Sequence, residues 1–295
     1  MCDLHVHTLH SGMCTVPVAR RFCRECYSEP VELYWKLKKR GMDLVTVTDH
    51  DGIDAAEELR RYPDFFLSEE VTCHLPGGNE AHIAVYDIND RQHVEIQRRR
   101  DDLPSLLAWL NEQGLIFAIN HLFSGLTGRR SAADYDWFET GFTHMESLNG
   151  AVVGRANELA VQYASYFRKT GLGGSDAHTI ASAGSACTLV RGAACKQEFL
   201  DGIRAGHAVA LGESGGYFRL TRDVLTICAN MFREKPWTLA LSPLMLGVPP
   251  VIFVNYWMEI AFAERWFARA VSGKRMPSLS GASLARPSLS GEVSL

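Results

Sequence analysis

The chain has 295 residues, 46% of them hydrophobic and 22% charged, and a net charge of −4. That balance supports a substantial buried core and excludes a disordered or fibrous chain, and the mild acidity excludes a surface built to coat nucleic acid, leaving room only for a local basic pocket. Eight cysteines without a disulfide-rich spacing point to reduced thiols and a cytoplasmic setting. Cys23-Arg-Glu-Cys26 is a lone C-x-x-C with no second pair, so a zinc or redox role is disfavoured.

The chain opens on Asp3-Leu4-His5-Val6-His7, whose histidines alternate, so a strand would project both imidazoles to one face within reach of one metal ion. Because this run begins at Asp3, no secretory signal is expected ahead of it. A single His-x-His is equally explained as polar positions on an exposed strand, so the reading needs further ligands. Arg20, Arg21 and Arg24 fall in a stretch that reads as an irregular loop. Residues 30–41 read as a helix capped by Ser28, with Val31, Tyr34, Trp35 and Leu37 at helical spacing and Gly41 past a basic last turn. The apolar run 42–48 reads as a buried strand and ends at Thr48-Asp49-His50-Asp51-Gly52.

The alternation continues. Helices are expected over 53–61, 103–113, 135–140, 157–169 and 196–205, and strands over 65–72, 82–87, 115–120, 144–148 and 208–211, with 171–175 leading into Gly174-Ser175-Asp176-Ala177-His178. Arg98-Arg99-Arg100, balanced by Asp101-Asp102, reads as a surface face. Polar motifs close the apolar runs throughout: Ser68-Glu69-Glu70-Val71, Glu80-Ala81-His82 and Asn120-His121. Alternating elements of this length imply βαβ units in a parallel sheet or barrel, where catalytic groups gather at the carboxyl ends of strands. After His121, Ser124-Gly-Leu-Thr-Gly128 leads to Arg129-Arg130, two guanidiniums suited to a substrate phosphate or, equally, a solvated basic loop.

The α/β unit is placed at 1–215. Composition then shifts to an apolar helical appendage over 216–270 and a low-complexity tail over 271–295. Residues 237–257 carry no charge and end in tryptophans, long enough to cross hydrocarbon, but Pro243, Pro249 and Pro250 interrupt them and the basic flanks are even. A re-entrant hairpin turning at Pro249-Pro250, holding the protein to the cytoplasmic face of a membrane, competes with an apolar arm packed on the barrel or on a second subunit. The oligomeric state stays open.

D-L-H-V-H, T-D-H-D-G-I and G-S-D-A-H, in that order, resemble the polymerase-and-histidinol-phosphatase (PHP) family of metal-dependent phosphoesterases over residues 1–215. The resemblance implies an α/β fold, a distorted (β/α)7 TIM-like barrel. It also implies hydrolysis of a phosphate ester by a metal-bound hydroxide at a di- or trinuclear site of divalent Zn, Mn or Fe. The substrate would be a phosphomonoester of a small metabolite or nucleotide, or a short oligonucleotide. A nuclease-like phosphodiesterase, another metallo-hydrolase, or a non-catalytic, metal-stabilised, membrane-tethered module are the alternatives.

By the same resemblance His5, His7, Glu70 and Asp176 hold one ion, Glu70 bridges to a second held by His82 and His121, and His50 and His178 belong to a third. Glu70 and Asp176 are then the central catalytic carboxylates. Asp3 and Asp49 would fix imidazole tautomers, and Glu146 and Asn149 look like the family's orienting pair. There is one departure: the family's aspartate soon after the His-Thr pair is replaced by Ser11-Gly12, so the third ion lacks one expected ligand; either His10 or Cys14 takes that place or the third site is weak or empty.

Overall fold

The connection over residues 75–79 decides the direction of the first strands. It is too short for a crossover helix, so β1 (Ser68–His74) and β2 (Glu80–Tyr86) pair antiparallel. The structure, a computed structural model describing residues 1–17, 19–125 and 128–272, is a mixed α/β fold. Its main sheet has the order β1-β2-β3-β4-β5, with β3 at Ile116–Ile119, β4 at His144–Asn149 and β5 at Thr170–Gly174. β2 and β3 are antiparallel, whereas β3-β4 and β4-β5 are parallel. A second, two-stranded antiparallel sheet joins β6 (Ala186–Val190) to β7 (Ala208–Gly212).

This corrects the expected (β/α)7 barrel, because no closed barrel forms among the described residues. The runs 3–7 and 44–50 do not ladder; they meet the sheet through single bridges, Val6 to Ala177, Val45 to Phe65 and His50 to Glu70. The first run nevertheless lies hard against β5. A Cβ at Gly174 would collide with the Cβ and backbone nitrogen of His5, so only glycine lets the two backbones approach.

The helices follow from local sequence. α1 (Pro30–Lys39) starts on a proline whose φ is already helical, buries Leu33, Tyr34 and Leu37, and ends on Lys36, Lys38 and Lys39, favourable at the negative end of the dipole. Its N-cap is Glu29, not Ser28, and Trp35 is exposed rather than inward. α2 (Ala56–Leu59) is a single turn of the longer helix expected over 53–61. α3 (Asp90–Arg99) was not legible as a helix because only Ile96 is buried, so no apolar stripe marks it; a capping box between Asn89 and Gln92 starts it. α4 (Leu103–Glu112), α5 (Ala132–Gly141), α6 (Gly154–Tyr166) and α7 (Lys196–Arg204) lie within a few residues of expectation.

Past the second sheet come α8 (Tyr217–Glu234), a 3-10 segment (Pro236–Gly247) and α9 (Val248–Val271). The expected turn at Pro249-Pro250 is absent. The backbone changes at Gly247, and both prolines sit in the first turn of α9, where the missing N–H groups have no intrahelical partner to lose. The second half of α9 buries Ala263, Trp266 and Ala270 in the same apolar cluster as Phe123, Tyr135 and Tyr163. From residue 273 the tail expected over 271–295 lies outside the described residues, as do Leu126 and Thr127 of the glycine loop.

Candidate metal centre

The strand ends and the two bridging runs deliver eight ligand-type side chains to one place. His5 and His7 come from the first run, His50 from the end of the second, Glu70 from β1, His82 from β2, His121 from just past β3, and Asp176 and His178 from just past β5. His82 lies in the first half of its strand because β2 runs antiparallel, which brings its amino end level with the carboxyl end of β3. Two of the ligand positions, His121 (φ 28) and Asp176 (φ 49), sit in the left-handed region that side-chain-bearing residues seldom adopt. Such strain persists where surrounding contacts hold it, and here the Asp176 amide donates to the carbonyl of His5 while the His121 amide donates to Glu146.

The spacing of these donor atoms would allow them to hold shared ions. His5 Nε2 lies 3.1 Å from His7 Nε2 and 3.2 Å from Glu70 Oε2, and His7 Nε2 lies 3.2 Å from Asp176 Oδ1. Donor atoms about 2.1 Å from one tetrahedral ion are separated by roughly 3.4 Å, which matches. On the other side of the same carboxylate, Glu70 Oε1 is 3.4 Å from His82 Nδ1 and 3.2 Å from His121 Nε2. Glu70 therefore turns one oxygen to each of two ligand sets, and His50 Nδ1 stands 3.2 Å from its Oε2. Glu70 Oε2, His82 Nδ1 and His178 Nε2 are buried and have no hydrogen-bond partner among the described residues. Buried polar atoms left without partners are costly, and a cation removes that cost.

Around His50 and His178 the surroundings differ from those expected. His10 lies on the short 3-10 turn Leu9–Ser11 and belongs to no ligand cluster, and Cys14 joins its backbone to Cys23. Instead Glu25 places Oε2 3.6 Å from His50 Nε2 and Oε1 3.6 Å from His178 Nε2. Its place within the arginine-containing loop hid it. The available signal was elimination, since Glu25 is the sole carboxylate between Asp3 and Glu29.

Around the ligands, neighbouring groups set the tautomers. His5 Nδ1 donates to Glu146 Oε1 at 2.8 Å, leaving Nε2 turned to the cavity. The Ser11 hydroxyl donates to Asp49, so it must accept from His7 Nδ1, and His7 Nε2 is likewise turned to the cavity. His178 Nδ1 donates to the carbonyl of Asp176. Asn149 bridges Glu146 and Asp176 through its amide nitrogen, and Asn120 donates to Glu70 Oε1. Asp3 touches no imidazole; it accepts the backbone amides of His5, Ser175 and Gly184 and so ties the first run to the loop after β5.

Electrostatics agree. Burial by itself raises Glu70 and Asp176, yet the imidazoles facing them hold both carboxyls well below the usual range. Glu25 is brought down to about 2, against burial, by His178 and His50. Burial and the neighbouring His178 lower His7, whereas the facing carboxylates, against burial, hold His5 and His82 up and bring His178 to about 9, so the ionised carboxylates are balanced by imidazole protons that a cation would displace. Mixed imidazole and carboxylate donors suit divalent transition metals without choosing among them.

Arg130 does not turn toward this centre. It is buried, its Nη1 donates to the carbonyl of Glu80, and its guanidinium lies over the Phe138 ring. Arg129 is exposed.

A family model described as PHP-associated matches residues 154–208, the stretch that delivers Asp176 and His178. Among solved structures, the chain is similar to PsfC from Pseudomonas syringae PB-5123, at 17% identity and a TM-score of 0.53, covering 78% of this chain and 96% of that one. It is also similar to the lesion-specific endonuclease PfuEndoQ from Pyrococcus furiosus, at 14% identity and a TM-score of 0.50, covering 72% of this chain and 59% of that one. At these identities the likeness is one of fold. None of the curated proteins matches the chain.

Proposed function

We propose that this chain is a PHP-type metal-dependent hydrolase that cleaves the phosphate ester of a small metabolite or nucleotide at a di- or trinuclear centre. The observation that carries the reading is Glu70, whose two oxygens face two separate imidazole sets while His50, His178 and Glu25 frame a third. When bound, divalent ions would lower the pKa of water and offset charge on the phosphoryl oxygens.

The chain's own residues prepare the site. Glu146 and the Ser11–Asp49 pair hold His5 and His7 with Nε2 turned to the cavity, Asn149 and Asn120 orient the carboxylates, and the buried walls keep bulk water from screening them. With Arg130 committed to Glu80, Arg129 is the guanidinium left to meet a substrate phosphate.

The test compares p-nitrophenyl phosphate, its bis ester and a short oligonucleotide, each with added Mn or Zn and after chelation. Metal-dependent turnover of the monoester above the diesters supports the reading, and an Arg129→Ala variant should raise KM there. Preference for a diester moves the protein to phosphodiesterase chemistry, and no turnover with any substrate and metal would leave a metal-binding module.

A further inference from the structure

The segment from Trp237 to Met258 carries no charge, yet it is scarcely covered: only 6% of its most apolar window is buried. Leu246 is 84% exposed, Trp237 64% and Trp257 57%, with Leu239, Leu244, Val251, Phe253, Val254 and Met258 exposed between them. A contiguous apolar surface of this kind marks an interaction site. At Glu259 the helix changes character. That carboxylate accepts from the Gly125 amide and the Ser124 hydroxyl, and beyond it Ala263, Trp266 and Ala270 are buried.

The docked half limits what the free half can do. The exposed apolar part of α9, residues 248–258, is roughly 17 Å long at 1.5 Å per residue, far short of the ~30 Å hydrocarbon thickness. The rest of α9 is held by protein and unavailable to lipid. The free part of α9 is therefore too short to span by itself, whereas it is long enough to enter one leaflet.

Folding also sets cations beside this surface. Phe22 packs edge-on against Trp237 with ring centroids 5.4 Å apart, and its carbonyl accepts from Lys235. This brings Arg20 and Arg21, both exposed, to the base of the apolar arm, with exposed Arg233 on the adjoining end of α8. Among the described residues no carboxylate lies within ion-pair distance of Arg20, Arg21 or Arg233. Glu234, next to Arg233 in the chain, is engaged by Arg24. A second copy of this chain would present the same cationic rim, like facing like, whereas an anionic bilayer presents the opposite charge next to an apolar phase.

We propose that the arm over residues 236–258 docks on an anionic lipid surface, its apolar side chains entering one leaflet and Arg20, Arg21 and Arg233 meeting the headgroups. The inference is independent of the hydrolytic reading. Cations at a bilayer surface attract anionic lipid additively, and a paired apolar insertion makes the attachment stable.

Flotation of the full chain with vesicles of phosphatidylcholine, alone or mixed with phosphatidylglycerol, tests it. The wild type should float with the mixed vesicles, Arg20→Gln with Arg21→Gln should weaken this on the order of tenfold at low salt, and Leu246→Glu with Trp257→Glu should abolish it. All four positions are exposed, so the variants should keep the wild-type melting temperature and hydrolytic rate. Failure of the wild type to float with mixed vesicles overturns the proposal. So does binding indifferent to the arginines and to lipid charge, or a dimer in analytical ultracentrifugation that the Glu variants disperse while vesicles bind neither form.

Discussion

The metal centre and the C-terminal arm invert the usual rule of burial in opposite ways. At the centre, His5, His7, Glu70 and Asp176 are ionisable and almost wholly buried; in the arm, Leu246, Val251, Phe253 and Trp257 are apolar and exposed. Both arrangements are costly to an isolated soluble chain. Buried charges need compensating charge, and exposed apolar area forfeits roughly 25 cal/mol per Å² of burial. On the readings proposed above, each region is half of an interaction, the first with cations and the second with an apolar phase.

The sharpest way to break the comparison is to remove its central charge. Glu70→Gln keeps the shape but removes the charge and replaces one ligand oxygen with an NH2 that cannot hold a cation, so metal content should fall and phosphoester turnover should drop by orders of magnitude. Elemental analysis showing wild-type metal in that variant would refute the bridging role.

Next in size comes a contrast within α9. Trp266 is buried among Tyr135 and Phe262, whereas Trp257 is exposed, so Trp266→Ala should cost about 3 to 5 kcal/mol of stability and Trp257→Ala within about 0.5 kcal/mol. Denaturant unfolding of both variants measures the difference; equal costs would mean that the two halves of the helix are not distinct. Smaller again is the effect at the third cation position. Glu25→Gln should lower its affinity about 10- to 100-fold while ions around Glu70 remain, read by metal titration. If His10→Ala or Cys14→Ala releases an ion and Glu25→Gln does not, the third site has been assigned to the wrong carboxylate.

Much of the centre was legible because strand-end motifs are local. His5 and His7 alternate in one run, and Asp176 and His178 share one loop, so their common direction follows from backbone periodicity. Glu25 was not legible, because its approach to His50 and His178 depends on how residues 9–26 fold back, with Cys14 donating to the Cys23 carbonyl and Glu25 to that of Gly12. Arg130 was misjudged for the same reason: its carbonyl partner on Glu80 is distant in sequence.

By itself the sequence determined the alternating α/β order, the apolar runs and their polar ends, and the charge-free stretch near the C-terminus, since these follow from periodicity and composition. Tertiary structure alone decided that β1 and β2 turn antiparallel, that runs 3–7 and 44–50 join by single bridges instead of closing a barrel, and that α9 is docked in one half and bare in the other. The physical reason is common to all three. Pairing direction, closure and burial depend on which surfaces meet, and those contacts join residues far apart in the chain, where local pattern carries no information.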